Sequence, residues 1–169
     1  MIKNAEIYRM ELLKLKTNYK DQFYRNFENN PEHQWIVKNR DVQKCFQLLF
    51  DEFRDEHFKF FTKNKVSFIY SHAELSFAVG NLKNEFVVVI FPDLFKMMST
   101  TLITEASATL AHELGHIYYR HHEKAVNRLK AQIEADSFAT ELGFKEDLKR
   151  TLLRFSHLAE VQHRLEFLK

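Results

Sequence analysis

Cysteine is nearly absent from this 169-residue chain: Cys45 stands alone, so no disulfide can form within it and a small fold stapled by bridges is excluded. Glycine and proline are also scarce, at 3 and 2 residues, which leaves few turn-formers for an all-β fold and favours long helices. No stretch approaches the roughly 20 apolar residues of a membrane span, and the opening MIKNAEIYRMELLKLKTNYKDQF lacks the apolar core of a signal peptide. Neither sign of charge dominates, since 25 basic and 23 acidic residues leave a net charge of +2, too balanced to imply a nucleic-acid partner. These absences predict a cytoplasmic protein with no membrane span and no nucleic-acid ligand.

What the chain has in quantity is phenylalanine, 17 residues of it, within a composition that is 45% hydrophobic and 28% charged. A chain of this length buries roughly two-thirds of its unfolded surface, so one domain over residues 1–169 is expected. Tyr8, Leu12, Leu15, Tyr19, Phe23 and Phe27 recur at intervals of three or four and predict a helix that ends before Pro31. Val42, Cys45, Phe46, Leu49, Phe53 and Phe60 predict a second amphipathic helix over about 41–61, with Cys45 as a buried apolar residue. The β-branched and aromatic runs Val66–Tyr70 and Phe86–Ile90, with Gly80-Asn81 between them, read as the strands. After Pro92, Thr100 or Thr101 is placed to cap a helix running through LITEASATLAHELGHIYYRHH. A further helix is expected over about 123–142 with Gly143 as its stop, and a last one from about Lys145 through Leu148, Leu152, Phe155, Leu158, Val161 and Leu165. The fold class is therefore α+β and mostly helical, with a small central sheet.

His112-Glu113-Leu114-Gly115-His116 is an H-E-x-x-H pattern within that helix. Residues four apart are helical neighbours, so two imidazoles can hold one Zn²⁺ while Glu113 takes a proton from the activated water. The residues around the motif, Ala111, Leu114 and Gly115, are small or apolar and predict a buried helix, in which histidines and a carboxylate need partners or a metal. A third ligand is required. His122 lies ten residues after His112, but Tyr119 occupies the place where a glycine would turn the chain back. The segment Gln132-Ile133-Glu134-Ala135-Asp136 on the following helix is the acidic alternative.

With these pieces in order, the chain resembles the gluzincin metallopeptidases that include the CAAX prenyl protease and HtpX-type proteases. AHELGHIYYRH (111–121) is similar to that family's zinc helix, and EADSFATELGF (134–144) to its downstream glutamate helix. Ser76–Gly80 and FVVVIFPDLF (86–95) resemble the strand that precedes the zinc helix and can lie along a bound peptide. The resemblance spans about residues 66–165 and implies a zincin-like core over 66–169; residues 1–65 form a helical amino-terminal part outside it. It places the third ligand four residues before the Asp of the Ala-Asp pair, where this chain has Gln132, and a neutral amide is a poor zinc ligand. Glu134 is the nearest acid and is assigned as the third ligand, although it lies about 200° around the helix from Gln132. Asp136, on the Gln132 face, is the alternative ligand or, by the resemblance, an acceptor that orients a ligand histidine.

The resulting expectation is a zinc metalloendopeptidase acting on peptide or protein substrates, with His112, His116 and Glu134 on the metal and Glu113 as general base. His157 is the candidate oxyanion donor; His163, Tyr118 and Tyr119 are weaker ones, and His121 and His122 read as cations at a helix end. Val87–Ile90 would pair with an extended peptide. The competing expectation is a non-catalytic or regulatory binding protein on the same architecture. Gln132 supports it, as does an amino-terminal helical part able to bind a partner protein.

Overall fold

The structure, a computed structural model, describes residues 18–71 and 85–169. The stripe Tyr8–Leu15, the Gly80-Asn81 turn and Ser76–Gly80 lie outside the described residues. Helix α1 covers Tyr19–Asn29 and stops before Pro31, where Asn30 starts a 3₁₀ turn, Pro31–His33, that leads into the short α2, Gln34–Val37. The predicted helix over 41–61 is two helices, α3 (Arg40–Asp51) and α4 (Asp55–Lys63). The break at 52–54 turns Phe53 into the aromatic cluster, and the His57 ring accepts a hydrogen bond from the Arg54 N–H at 3.1 Å, capping α4.

Strands β1 (Lys65–Tyr70) and β2 (Glu85–Ile90) pair in parallel, with Lys65 opposite Glu85 and Tyr70 opposite Ile90. The outer edge of β1 is blocked by side chains: the Phe68 N–H donates to His33 Nε2 at 3.0 Å, and Trp35 Nε1 donates to the Phe68 carbonyl at 3.1 Å. Such contacts satisfy backbone groups that would otherwise attract another strand.

Pro92 opens α5 (Pro92–Met98), an element absent from the sequence reading. Helix α6 covers Ile103–Tyr118 and carries no side-chain cap; the Thr100 hydroxyl instead accepts from the Leu102 N–H, one turn too early. It also ends four residues before His122, because Arg120 adopts a left-handed conformation with φ 55° and a 3₁₀ turn, His121–Glu123, follows. Helix α7 starts at Arg128 rather than 123, since Asn127 caps it through the Lys130 N–H, and it runs to Glu141. Gly143, at φ 86°, stops the chain there as expected. The predicted final helix is again two, α8 (Lys145–Leu153) and α9 (Ala159–Phe167), separated by turns at 154–158.

Helix α6 packs on α3, α5, α7 and α8 and is buried on nearly all sides. Its polar groups are accordingly partnered. Ser107 donates to the carbonyls of Cys45 and Ile103, each at 3.0 Å, and Glu105 pairs with Arg150 and Arg154 of α8 and the turn after it. On the far side, Phe23, Phe46, Phe50, Phe53, Phe58 and Phe61 form an aromatic core whose rings meet mostly edge to face or tilted, Phe23 and Phe50 edge to face at 4.8 Å. Cys45 is buried beside Ser107, and burial pushes its thiol up to about 11. Among the described residues, no helix is long and apolar enough to cross a membrane.

Candidate metal centre

The site begins with a glycine. At Gly115 helices α6 and α7 approach so closely that an added Cβ would stand 2.9 Å from Ala135 Cα and 3.0 Å from its carbonyl oxygen. Only hydrogen fits there. The close approach brings Asp136 level with His112. Gln132 lies one helical turn before Asp136, on the same face of α7.

Asp136 is fully buried, and its Oδ1 lies 2.7 Å from His112 Nδ1. Arg164 of α9 grips the same carboxylate with two donors, Nε to Oδ2 at 2.8 Å and Nη2 to Oδ1 at 2.6 Å. Burial works to raise the Asp136 carboxyl, but hydrogen bonds from Arg164 and His112 outweigh it and hold the group below the usual carboxylate range. Because an ionised carboxylate only accepts, His112 Nδ1 carries the proton of this contact, and Nε2 is the ring atom left to meet a cation. Arg164 Nη2 and His112 Nδ1, 3.3 Å apart, are two donors drawn together by that shared acceptor.

His116 is held from the other side. The left-handed Arg120 reverses the chain after α6, and its guanidinium fixes the turn by binding Asn64 Oδ1 at 3.1 Å and Glu123 Oε1 at 2.8 Å. The next residue, His121, thereby folds back: its Nδ1 lies 2.8 Å from His116 Nδ1, its Nε2 lies 2.8 Å from Glu134 Oε2, and its ring stacks on Tyr119. The hydrogen bond from His121 lowers the Glu134 carboxyl, aided by the charges of Lys130 and Lys124.

Between these two supports, His112 Nε2 and His116 Nε2 face each other at 3.2 Å. Two nitrogens at Zn–N distances of about 2.0–2.1 Å in a tetrahedral shell stand about 3.3 Å apart, so the spacing suits one shared cation. Burial, aided by the nearby Arg164 guanidinium, pushes His116 down to about 4, which keeps its ring neutral. The donor set fits a divalent metal, supplied by two rings. Among the described residues, no group of three or more His, Cys, Asp or Glu side chains is placed to hold an ion.

The remaining sequence-predicted residues are dispersed. Glu113 is exposed beside His112. Gln132 is half-buried, and its side chain makes no hydrogen bond among the described residues. His122 turns away to stack edge-on against Phe86 and to meet Glu123 at 3.3 Å. His157 is exposed in the turns between α8 and α9, and His163 is exposed beside Glu166. Tyr118 packs against Phe60 and Phe138. Arg164 escaped the sequence reading, although a signal existed: it lies three residues after Val161 and four before Leu168, on the buried face of α9. His121 reads from the sequence as a terminal cation because nothing there marks Arg120 as a left-handed turn.

Residues 37–140, more than half of the chain, match Peptidase family M48. The match starts earlier than the resemblance read from the motifs, taking in α3 and α4 as well as the sheet and the two central helices. Comparison with curated proteins and with solved structures gives no match.

Proposed function

Because this chain belongs to peptidase family M48, we propose that it is a zinc-dependent peptidase in which His112 and His116 bind the metal and Glu113 is the general base. The observation that carries this reading is the 3.2 Å approach of two imidazole Nε2 atoms whose Nδ1 atoms are both engaged elsewhere. Zinc would supply a Lewis acid for the scissile carbonyl and lower the pKa of a water toward 7. The chain's own residues do the rest. Glu113, solvent-facing and adjacent to His112, is free to take the proton of the attacking water and return it to the leaving amine. Asp136, held by Arg164, keeps the His112 proton on Nδ1 throughout. Gln132, one turn before Asp136 on the same face of α7, would offer a neutral oxygen to the same ion. An extended peptide pairs with the Val87–Ile90 backbone of β2, the outer edge of β1 being occupied at Phe68 by His33 and Trp35.

The neutral Gln132 favours a second reading, a regulatory binding protein that has kept the site and lost the reaction. A peptide-library digestion separates the two. The peptidase reading predicts cleavage by the wild type and none by Glu113→Gln, with zinc bound in both; a zinc-loaded wild type that cleaves nothing supports the regulatory one.

A further inference from the structure

We propose that Glu134 and His121 are a positioning pair for the metal site, fixing His116 with its proton on Nδ1 and its Nε2 lone pair turned toward a divalent cation. The inference rests on the reading of His116 as a ligand and gives Glu134 a different place from a direct ligand. The ionised Glu134 carboxylate only accepts, so His121 Nε2, 2.8 Å away, carries a proton. A His116 that binds a cation through Nε2 carries its proton on Nδ1, so in the 2.8 Å contact between the two Nδ1 atoms His116 donates and His121 accepts. What remains on His116 is the lone pair on Nε2, the atom that faces His112. Glu134 therefore stands behind His116, across a second imidazole, on the edge of the ring away from His112.

The geometry of the turn is suited to that task. His121 is nearly enclosed, stacked on Tyr119, and follows a residue whose left-handed backbone is unfavourable outside glycine. Arg120 is anchored by Asn64 and Glu123, which offsets that cost and prevents His121 from swinging outward. The two ligand histidines thus have unlike supports, an arginine-clamped aspartate behind His112 and a histidine–glutamate chain behind His116. Partners of this kind fix ring orientation and tautomer in metal sites and are worth about 10–100-fold in affinity.

The test uses the full chain, with Zn²⁺ as the probe. Competition with a chromogenic chelator should show His121→Phe and Glu134→Ala each weakening zinc binding by about 10–100-fold, with the double variant no weaker than the worse single. In zinc-free protein labelled with ¹⁵N-histidine, His116 should carry its proton on Nδ1 in the wild type and lose that preference in both variants. Glu134 is partly exposed and alanine favours a helix, so Glu134→Ala carries the test if His121→Phe does not fold. Losses that multiply in the double variant, or an Nε2–H His116 in the zinc-free wild type, overturn the pair. A wild type that binds no zinc overturns the peptidase reading instead, and the zinc-free tautomer still decides the pair.

Discussion

Gly115 and Ala135 bring helices α6 and α7 together beside the candidate metal centre, with room for a hydrogen and not for a methyl group. Gly115→Ala should destabilise the protein by about 1–3 kcal/mol, the usual cost of overpacking, even though alanine is the better helix former. Moving α7 outward also draws Asp136 from His112, so zinc affinity should fall with stability. Urea unfolding and zinc titration of the same variant check both effects.

The buried charge on Asp136 makes a second prediction. Asp136→Ala leaves Arg164 buried without its partner and should cost about 3–5 kcal/mol. Asp136→Ala combined with Arg164→Met removes the stranded charge and should recover part of that loss. A double-mutant cycle by urea denaturation reads the coupling; simple additivity of the two single losses would contradict the geometry.

Acid should destabilise the zinc-free protein in a defined window. Burial lowers the proton affinity of His33 and His57, and pushes His116 down to about 4. His33 has no room for a second proton, since Nδ1 already donates to the Phe27 carbonyl at 2.8 Å and Nε2 accepts from the Phe68 N–H. The unfolded chain takes up protons below about 6.5 that the fold refuses. The contribution of these neutral rings is therefore complete above that pH and is lost as the pH falls toward 4. Unfolding free energies measured across the range should decline on acidification, with a shallower slope for His33→Leu.

Gln132→Glu places a carboxylate where the chain now has an amide, one turn before Asp136 on the same face of α7. An anionic oxygen is the better zinc ligand, so the variant should bind zinc more tightly than the wild type. Equal affinities would remove Gln132 from the neighbourhood of the ion.

The H-E-x-x-H helix, the acidic helix after it and the Gly143 stop were legible in the sequence because each is a local pattern: an i, i+4 pair, a helical stripe and a residue free to take positive φ. The helix breaks were not legible. Phe53 continues the apolar period across the break between α3 and α4, and Phe155 and Leu158 continue it across the gap between α8 and α9, although those two are 51% and 48% exposed. Periodicity reports spacing, whereas the breaks follow from where Phe53 and the chain after α8 must turn to pack. The supports of the site were hidden for a related reason. His121 reaches His116 only because a non-glycine residue takes a left-handed conformation, and Arg164 reaches Asp136 across 28 positions of chain.

Metal analysis of protein purified without chelators tests the central claim most directly. The account predicts about one zinc per chain, as for a mononuclear site, and its loss in His112→Ala and in His116→Ala. Full retention of the metal in both variants, or a wild type that takes up no zinc when it is supplied, would contradict it.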